Sequence, residues 1–541
     1  HEPECLRVDF VQLNRMKDMQ PFNQNGLSLT QQTLDMMKGS LGAPTDRFGK
    51  PLSKGVSIST GLTWYDLEAP AKNIYPTITP LRNSIPRVKR KNPGDAAHWK
   101  QVSALIGSGY DAMGWVPEGQ RSGTMSYTTA NLAASYVTLG EEDYLTFEAE
   151  SAAEGFEDEN AMVTFRLLQK TMRKEEIAIL GGNATMALGT PATPTGTGNT
   201  GSGGTLAAAT YLVNVVALTL EGFKNSSLAN GVATSKVITG ADGKNFTLYG
   251  GSSNKSADSA GIVVGAGNSL ITVVTPLQGA VAYAWFVGTV SGSTTLQAIT
   301  TKASMTLSTA IVGGRQSIAA ITQDNSRNPG LAFDGLLSCA LNVNAPFYAN
   351  TTPAQAYVKY LANTADGVGT GLSASGRGSV NEIDEMLKTM WDTYQIGPTV
   401  LYVNSQEQKN ITTACLSNSS GPLLRYEVPT TPGQAYGIVA GGVVDFYYNP
   451  HAADGGYKLP IKLHPDIPAG TILAWCENLP PWYQSNEVPN VAEMLLRRDY
   501  YRIDWPLRTR QREYGIYMEE VLAVYANFGM GVIANIANKV S

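Results

Sequence analysis

The chain has 541 residues, too many for one hydrophobic core, because single cores stop growing near about 250 to 300 residues. Its 40 lysines and arginines against 45 aspartates and glutamates leave a net charge of -5, which excludes a chain built throughout to neutralise nucleic-acid phosphates. Only 16% of residues are charged, a density that suits surface buried against copies of the same chain.

Residues 1–79 mix short helical patches, such as 30–38, with Gly and Pro punctuation and show no periodic core; they read as an arm. From 80 to 127, Arg82, Arg87, Lys89, Arg90, Lys91, Lys100 and Arg121 surround strand-like runs such as QVSALI, predicting a basic two-stranded excursion. An acidic run follows at 140–159, with Glu141, Glu142, Asp143, Glu148, Glu150 and Glu154. It lacks the ligand spacing and the glycine of an EF-hand loop.

Residues 158–183 predict one long amphipathic helix with Phe165, Leu168, Met172 and Ile179 as its apolar stripe. Glu157, Asp158 and Glu159 stand at its start, Lys170, Arg173 and Lys174 in its second half, and Gly181 and Gly182 where C-cap residues belong. The helix reads as a rigid rod and not as a site. The Gly/Thr/Pro-rich stretch 186–209 reads as a linker, after which 206–310 alternates strands (YLVNVVALTL, SLITVV, VAYAWFVG, LQAITT) with Gly, Ser and Asn clusters and predicts a separate all-β sandwich.

From 315 to 490 strand and helix patterns alternate, predicting a mixed layered domain. Ser379 to Glu382 reads as a capping box before Ile383, Leu387, Met390 and Tyr394, and Ser405 to Gln408 as a second box after PTVLYVN. The glycines at 367, 369, 371, 376 and 378 suggest a phosphate cradle only superficially: no GK[ST] follows, and VKYLANTADG reads as a helix end, so a flexible loop is expected. Residues 491–541 close the chain with strands around DYYRIDWP and YMEEVLAVYAN, expected to pack beside the long helix.

Catalytic and metal chemistry find little support. His1, His98, His451 and His464 have no ligand spacing, and Cys5, Cys339, Cys415 and Cys476 form no CxxC pair, so free thiols in a reducing compartment are expected. No run reaches the roughly 18 apolar residues of a membrane helix, and HEPECLRVDF lacks the basic start and apolar run of a signal peptide; a soluble cytoplasmic product is expected. A start at His1 fits either maturation cleavage or a shortened chain.

Residues 133–183 and 497–536 resemble the major capsid proteins of tailed phages, the Hong Kong 97 capsid fold. The resemblance implies an α+β fold with an N-terminal arm (1–79), an E-loop hairpin (80–127), P-domain strands and spine helix (128–190), an A-domain (315–490) and closing P-domain strands (491–541). The 206–310 module interrupts it; 211–231 and 271–288 resemble fibronectin type III or immunoglobulin-like strands in reversed order, so the module is permuted or only analogous.

The function implied is non-enzymatic and cofactor-free: hexamers and pentamers assembling, in the host bacterial cytoplasm, into an icosahedral virion shell around double-stranded DNA without sequence-specific contacts. Portal, scaffold, decoration and cement proteins are the partner classes implied; no membrane is. The basic residues of 80–127 and the acidic run are the candidate inter-subunit contacts. Some family members crosslink Lys to Asn with a buried Glu. Lys89, Lys91 and Lys100 lie in the corresponding hairpin, but no motif marks their partners. An encapsulin-type compartment shares the fold, and a β-sandwich adhesin or glycan-binding protein is the rival from another class.

Overall fold

The computed structural model describes residues 77–538 apart from 92–93, 109–112, 154–157, 199–202, 241–242, 343–355, 365–366, 377, 418–424, 428–436, 440–442, 453–454 and 484–489. The expected arm, the helical patch 30–38, His1, Cys5 and Glu154 lie outside the described residues, save for the arm's last three positions.

Helix α1 (Pro80–Ser84) starts on a proline, whose missing N–H costs nothing at a helix start, and strand β1 (Arg87–Lys89) follows. Strands β2 (Ala96–Ile106) and β3 (Ser126–Ser135) pair antiparallel from Ala96↔Ser135 to Ile106↔Ser126. The two-stranded ribbon therefore spans 96–135, not 80–127; Arg82 and Arg87 belong to the elements before it. Strand β4 (Val137–Thr146) and helix α2 (Phe147–Ala153) lead into helix α3 (Glu159–Gly181).

The Asp158 side chain caps α3 by accepting from the Ala161 N–H at 3.1 Å. Its buried stripe is Val163, Leu167, Thr171 and Ile179, one or two positions before the expected Phe165, Leu168 and Met172, and Phe165 is 48% exposed. Gly182 ends the helix at φ -55°, not in the left-handed region. It is glycine for room: a Cβ there would sit 2.7 Å from the Phe333 carbonyl oxygen. At Gly181 a Cβ would meet Leu220 Cδ2 at 2.5 Å and Cβ at 2.7 Å. Gly181→Ala is expected to cost about 1–3 kcal/mol by overpacking, read as a lower urea midpoint; a neutral change would contradict this packing.

The next region forms two sheets. One has the order β10 (Ile262–Val264), β6 (Ala209–Leu218), β12 (Ala282–Gly288), β13 (Thr295–Thr300), with β9 (Ser252–Lys255) also on β6. The other has the order β14 (Ser304–Leu307), β11 (Leu270–Val273), β5 (Thr195–Gly198), and β7 (Ser235–Thr239) pairs with β8 (Asn245–Tyr249) alone. All four strands read from the sequence are present. Two readings need correction. Part of the supposed linker is β5, whose Gly196 and Gly198 let the Ile271 and Val263 carbonyls approach closely. The region is also not purely β, since helix α4 (Leu220–Asn225), capped by Thr219, follows β6.

Strands β6 and β12 read as continuous apolar runs because both faces are buried. Val213, Val215, Tyr283 and Trp285 join one core, and Val216, Leu218, Ala284 and Phe286 another. The first of these cores also takes in residues outside the module, among them Leu81, Ile179, Leu336, Val400 and Leu522, so the expected separateness is not observed.

Helix α5 (Leu336–Leu341) is wholly buried. Strand β15 (Tyr357–Tyr360) occupies the stretch read as a helix end, because it pairs in parallel with a strand far along the chain, a partner local pattern does not reveal. The glycine segment that follows turns at Gly367, Gly369 and Gly378, each at positive φ, and packs by Gly367 against Ile271.

Helix α6 (Asn381–Tyr394) buries Ile383, Leu387 and Met390 as read, with Met386 beside them and Tyr394 only partly buried, but the Ser379 box does not form. Val380 is the cap, and Glu382 instead accepts from the Ser373 N–H at 3.0 Å and hydroxyl at 2.7 Å. After β16 (Val400–Val403), helix α7 (Ser405–Ser417) is capped by Asn404, which accepts from the Gln406 N–H at 3.0 Å, one residue before the expected box.

Strands β17 (Arg425–Glu427) and β18 (Gly437–Val439) pair with each other. Strands β19 (Phe446–Asn449), β20 (Tyr457–Leu463) and β21 (Ile472–Trp475) join β16. Burial pushes the Glu407 carboxyl up to about 7, against hydrogen bonds from Asn410 Nδ2 at 3.1 Å and Gly470 N at 2.8 Å. A raised folded pKa stabilises fully below the ordinary value of 4.5 and loses that contribution as pH climbs to about 7. Glu407→Gln is expected to flatten the fall in unfolding free energy across that window by about 3 kcal/mol; urea titrations at stepped pH showing an unchanged slope would contradict it.

Strands β22 (Ala492–Asp504) and β23 (Gln511–Val524) close the four-stranded sheet β1-β22-β23-β4. As read, they pack beside the long helix: Val163 and Leu167 of α3 meet Leu145, Tyr514 and Ile516. The chain does not finish in that sheet. Strand β24 (Met530–Ala534) crosses to the six-stranded sheet β15-β24-β21-β16-β20-β19.

Candidate subunit interface

Two features stand out beyond ordinary packing: a buried charge network that fixes α3 to its surroundings, and the ribbon. Glu175 and Glu176 are adjacent and fully buried on α3. Glu175 accepts from Arg82 Nε at 2.7 Å and also takes Arg87 and the Tyr500 hydroxyl. Burial and then the charge of Glu175 push the Tyr500 hydroxyl up, which keeps it a donor. Glu176 accepts from the Leu81 and Arg82 N–H groups at 2.9 and 2.8 Å and meets His464 Nε2 at 2.6 Å. Because His464 Nδ1 accepts from the Asp466 N–H at 3.1 Å, Nε2 carries the ring proton and donates to Glu176.

Asp466, also buried, is held by Arg173 of α3 through two contacts of 2.8 Å and by Lys224 of α4 at 3.0 Å. One carboxylate thus ties the long helix, the β module and the α/β layer together. Glu520 of β23 completes the network differently. It is buried, and neither of its oxygens has a hydrogen-bond donor; its nearest cation is Arg87 Nη2 at 3.8 Å. Burial, followed by the charge of Glu175, raises its pKa well above the ordinary carboxylate value.

The sequence reading missed Glu175, Glu176, His464, Tyr500 and Glu520. A signal was present. Glu175 and Glu176 interrupt the apolar stripe of α3, and Glu520 falls in register with Met518 and Leu522 on a buried face. Their geometry is that of a fastening: the donors to Glu176 come from α1 (Leu81 and Arg82) and from His464, two segments distant from α3 along the chain. Among the described residues no group of three or more His, Cys, Asp or Glu could hold a metal, no helix is long and apolar enough to span a membrane, and Cys339, Cys415 and Cys476 are buried outside any disulfide.

The ribbon is anchored at its root by Ala97, Leu132 and Ala134 and by Trp99, which packs edge-on against Tyr525 at 5.5 Å. Beyond that root it leaves the core. Val102, Leu105 (65%), Ile106, Met125 and Tyr127 (63%) are exposed, and Leu105 and Tyr127 stand opposite each other on one face. In the connection between the strands, Met113, Val116 and Trp115, the last 91% exposed, continue the apolar surface. A two-stranded ribbon alone is marginal in water, and contiguous exposed apolar surface of this kind marks a docking site.

The candidate contact residues divide. Arg82 and Arg87 are engaged inside the chain with Glu175, and Glu141 pairs with Lys174. Glu142 takes the Tyr517 hydroxyl, Glu148 pairs with Arg510 at 2.6 Å and Glu150 with Arg512 at 3.2 Å. Lys89, Arg90, Lys91, Lys100, Arg121 and Asp143 are exposed. Among the described residues, no ion pair joins the basic set to the acidic set within one chain.

No protein-family model matches the chain, and no curated protein matches it. Among solved structures it is similar to the capsid of Myoviridae phage XM1, with 8% identity over 89% of this chain and 100% of that one and a TM-score of 0.37. It is similar to the capsid of a native GTA particle with 8% identity, 90% and 100% coverage and a TM-score of 0.37. The SrpI encapsulin of Synechococcus elongatus matches with 14% identity over 38% of this chain and 57% of that one, at a TM-score of 0.22.

Proposed function

We propose that this chain is a major capsid protein that self-assembles through hexamers and pentamers into an icosahedral shell enclosing phage double-stranded DNA, without sequence-specific contacts to it. The observation that carries the reading is the ribbon: its strands run about 10 residues each, roughly 30 Å at about 3.3 Å per residue, and their outer part, with Val102, Leu105, Ile106 and Tyr127, holds apolar side chains in water beyond the core. Burying each large apolar side chain against a neighbour contributes about 1.5–3 kcal/mol, and a closed shell repeats that contact in every copy.

In this reading the ribbon is the E-loop, α3 the spine helix, and the six-stranded layer the A-domain around the capsomer axes. The inserted β module is immunoglobulin-like and faces decoration proteins or stiffens the shell. The charge network on α3 keeps the plate rigid while the ribbon moves onto its neighbour. Light scattering on the purified full chain over a concentration series tests this: growth from protomer mass to particles of many copies is expected. A monomer that persists at high concentration, with scaffold protein or crowding agent added, would overturn it.

A further inference from the structure

We infer that copies of this chain join through opposite edges of the four-stranded sheet, the basic β1 edge of one copy facing the acidic β4 edge of the next. The inference rests on the shell reading and names the surfaces that bring its subunits into line. Among the described residues, β1 and β4 are the outer strands of the order β1-β22-β23-β4, and neither pairs with a further strand. An unpaired edge is a template for another chain unless its side chains restrict what approaches.

Here the two edges carry opposite signs. Lys89 ends β1, and Arg90 and Lys91 follow it, all exposed. Strand β4 presents Glu141, Glu142 and Asp143 in succession. Glu141 is paired with Lys174, but Glu142 takes only the Tyr517 hydroxyl and Asp143 only the Tyr144 N–H at 2.9 Å, so neither has a cation among the described residues. The patches cannot neutralise each other within one chain: three strand spacings of about 4.8 Å, and a register that sets Lys89 level with Val137 and not with Glu142, hold them more than about 14 Å apart, beyond the screening length of about 8 Å at physiological salt.

A second copy can neutralise both. Pairing β1 with β1, or β4 with β4, sets like charges face to face, which disfavours a two-fold dimer. The contact left is head-to-tail, and head-to-tail contacts generate rings when the rotation closes. The charges set register and partner, while the apolar ribbon, which leaves the sheet directly after β1, supplies most of the association energy.

Complementary charge reversal in the full chain tests the pairing. One variant carries Lys89→Glu, Arg90→Glu and Lys91→Glu, a second carries Glu142→Lys and Asp143→Lys, and a third carries all five. Matching urea midpoints confirm that each folds. Each of the first two alone is expected to need about tenfold or more protein than the original chain to begin assembling in low salt, with the gap narrowing at high salt. Mixed in equal amounts they should assemble together, and the five-fold variant should assemble alone. If the original chain assembles and the first two variants do so at the same concentration, or their mixture gains nothing, the edge pairing is wrong and the shell reading stands. If the original chain does not assemble at all, both fall.

Discussion

Glu175→Ala is expected to lower the unfolding free energy by about 3–5 kcal/mol, the loss that follows when one partner of a buried ion pair is removed. The carboxylate is fully buried and is the acceptor shared by Arg82, Arg87 and Tyr500. Removing it leaves two guanidinium groups with about a fifth or less of their surface exposed and a buried hydroxyl without its acceptor. Arg87 would keep Asp499 at 3.3 Å and Glu520 at 3.8 Å, which offsets part of the loss and places the outcome toward about 3 kcal/mol. Lys174→Ala is the control. Its partner Glu141 is partly exposed, and its loss should cost no more than about 1 kcal/mol. Urea denaturation of the two variants measures the difference; equal, small losses would show that the network does not fasten α3.

The second large effect separates folding from assembly. Leu105→Asp together with Tyr127→Asp places two carboxylates on one face of the ribbon, at paired positions 65% and 63% exposed. Nothing in the core is disturbed, so the unfolding free energy should change by no more than about 0.5 kcal/mol. Assembly should be lost, because each contact would bury two charges and forfeit about 1.5–3 kcal/mol of apolar burial per side chain. Particle mass at concentrations where the original chain assembles is the readout. Undiminished particles from the doubly substituted chain would remove the ribbon from the interface.

Much of this architecture was legible because it is local. The long helix announced itself through Asp158, its periodicity and its glycines, and the strands of the β module through alternating or continuous apolar runs ended by turn residues. What stayed hidden depends on partners far along the chain. Strand β15 exists because β24, some 170 residues later, lies beside it, and β5 exists because β11 accepts a glycine-rich neighbour.

The apolar stripe was misread at its start because Phe165 is more hydrophobic than Val163, yet the helix turns Val163 toward Leu145 and Ile516. The ion network was invisible for a related reason. Arg82 and Arg87 look like hairpin charges until the fold places them over a buried carboxylate 88 to 93 residues away. The boundary of the ribbon shifted with them. Its exposed apolar tip, by contrast, could not be inferred from residues that would suit a buried strand equally well.

Electron microscopy of the purified full chain tests the central claim most directly. The account predicts closed shells of uniform diameter, or six- and five-membered rings, whose loss in the Leu105→Asp and Tyr127→Asp chain leaves a folded protomer. Fields of single protomers from the original chain, at concentrations and salt that favour association and with scaffold protein present, would contradict it.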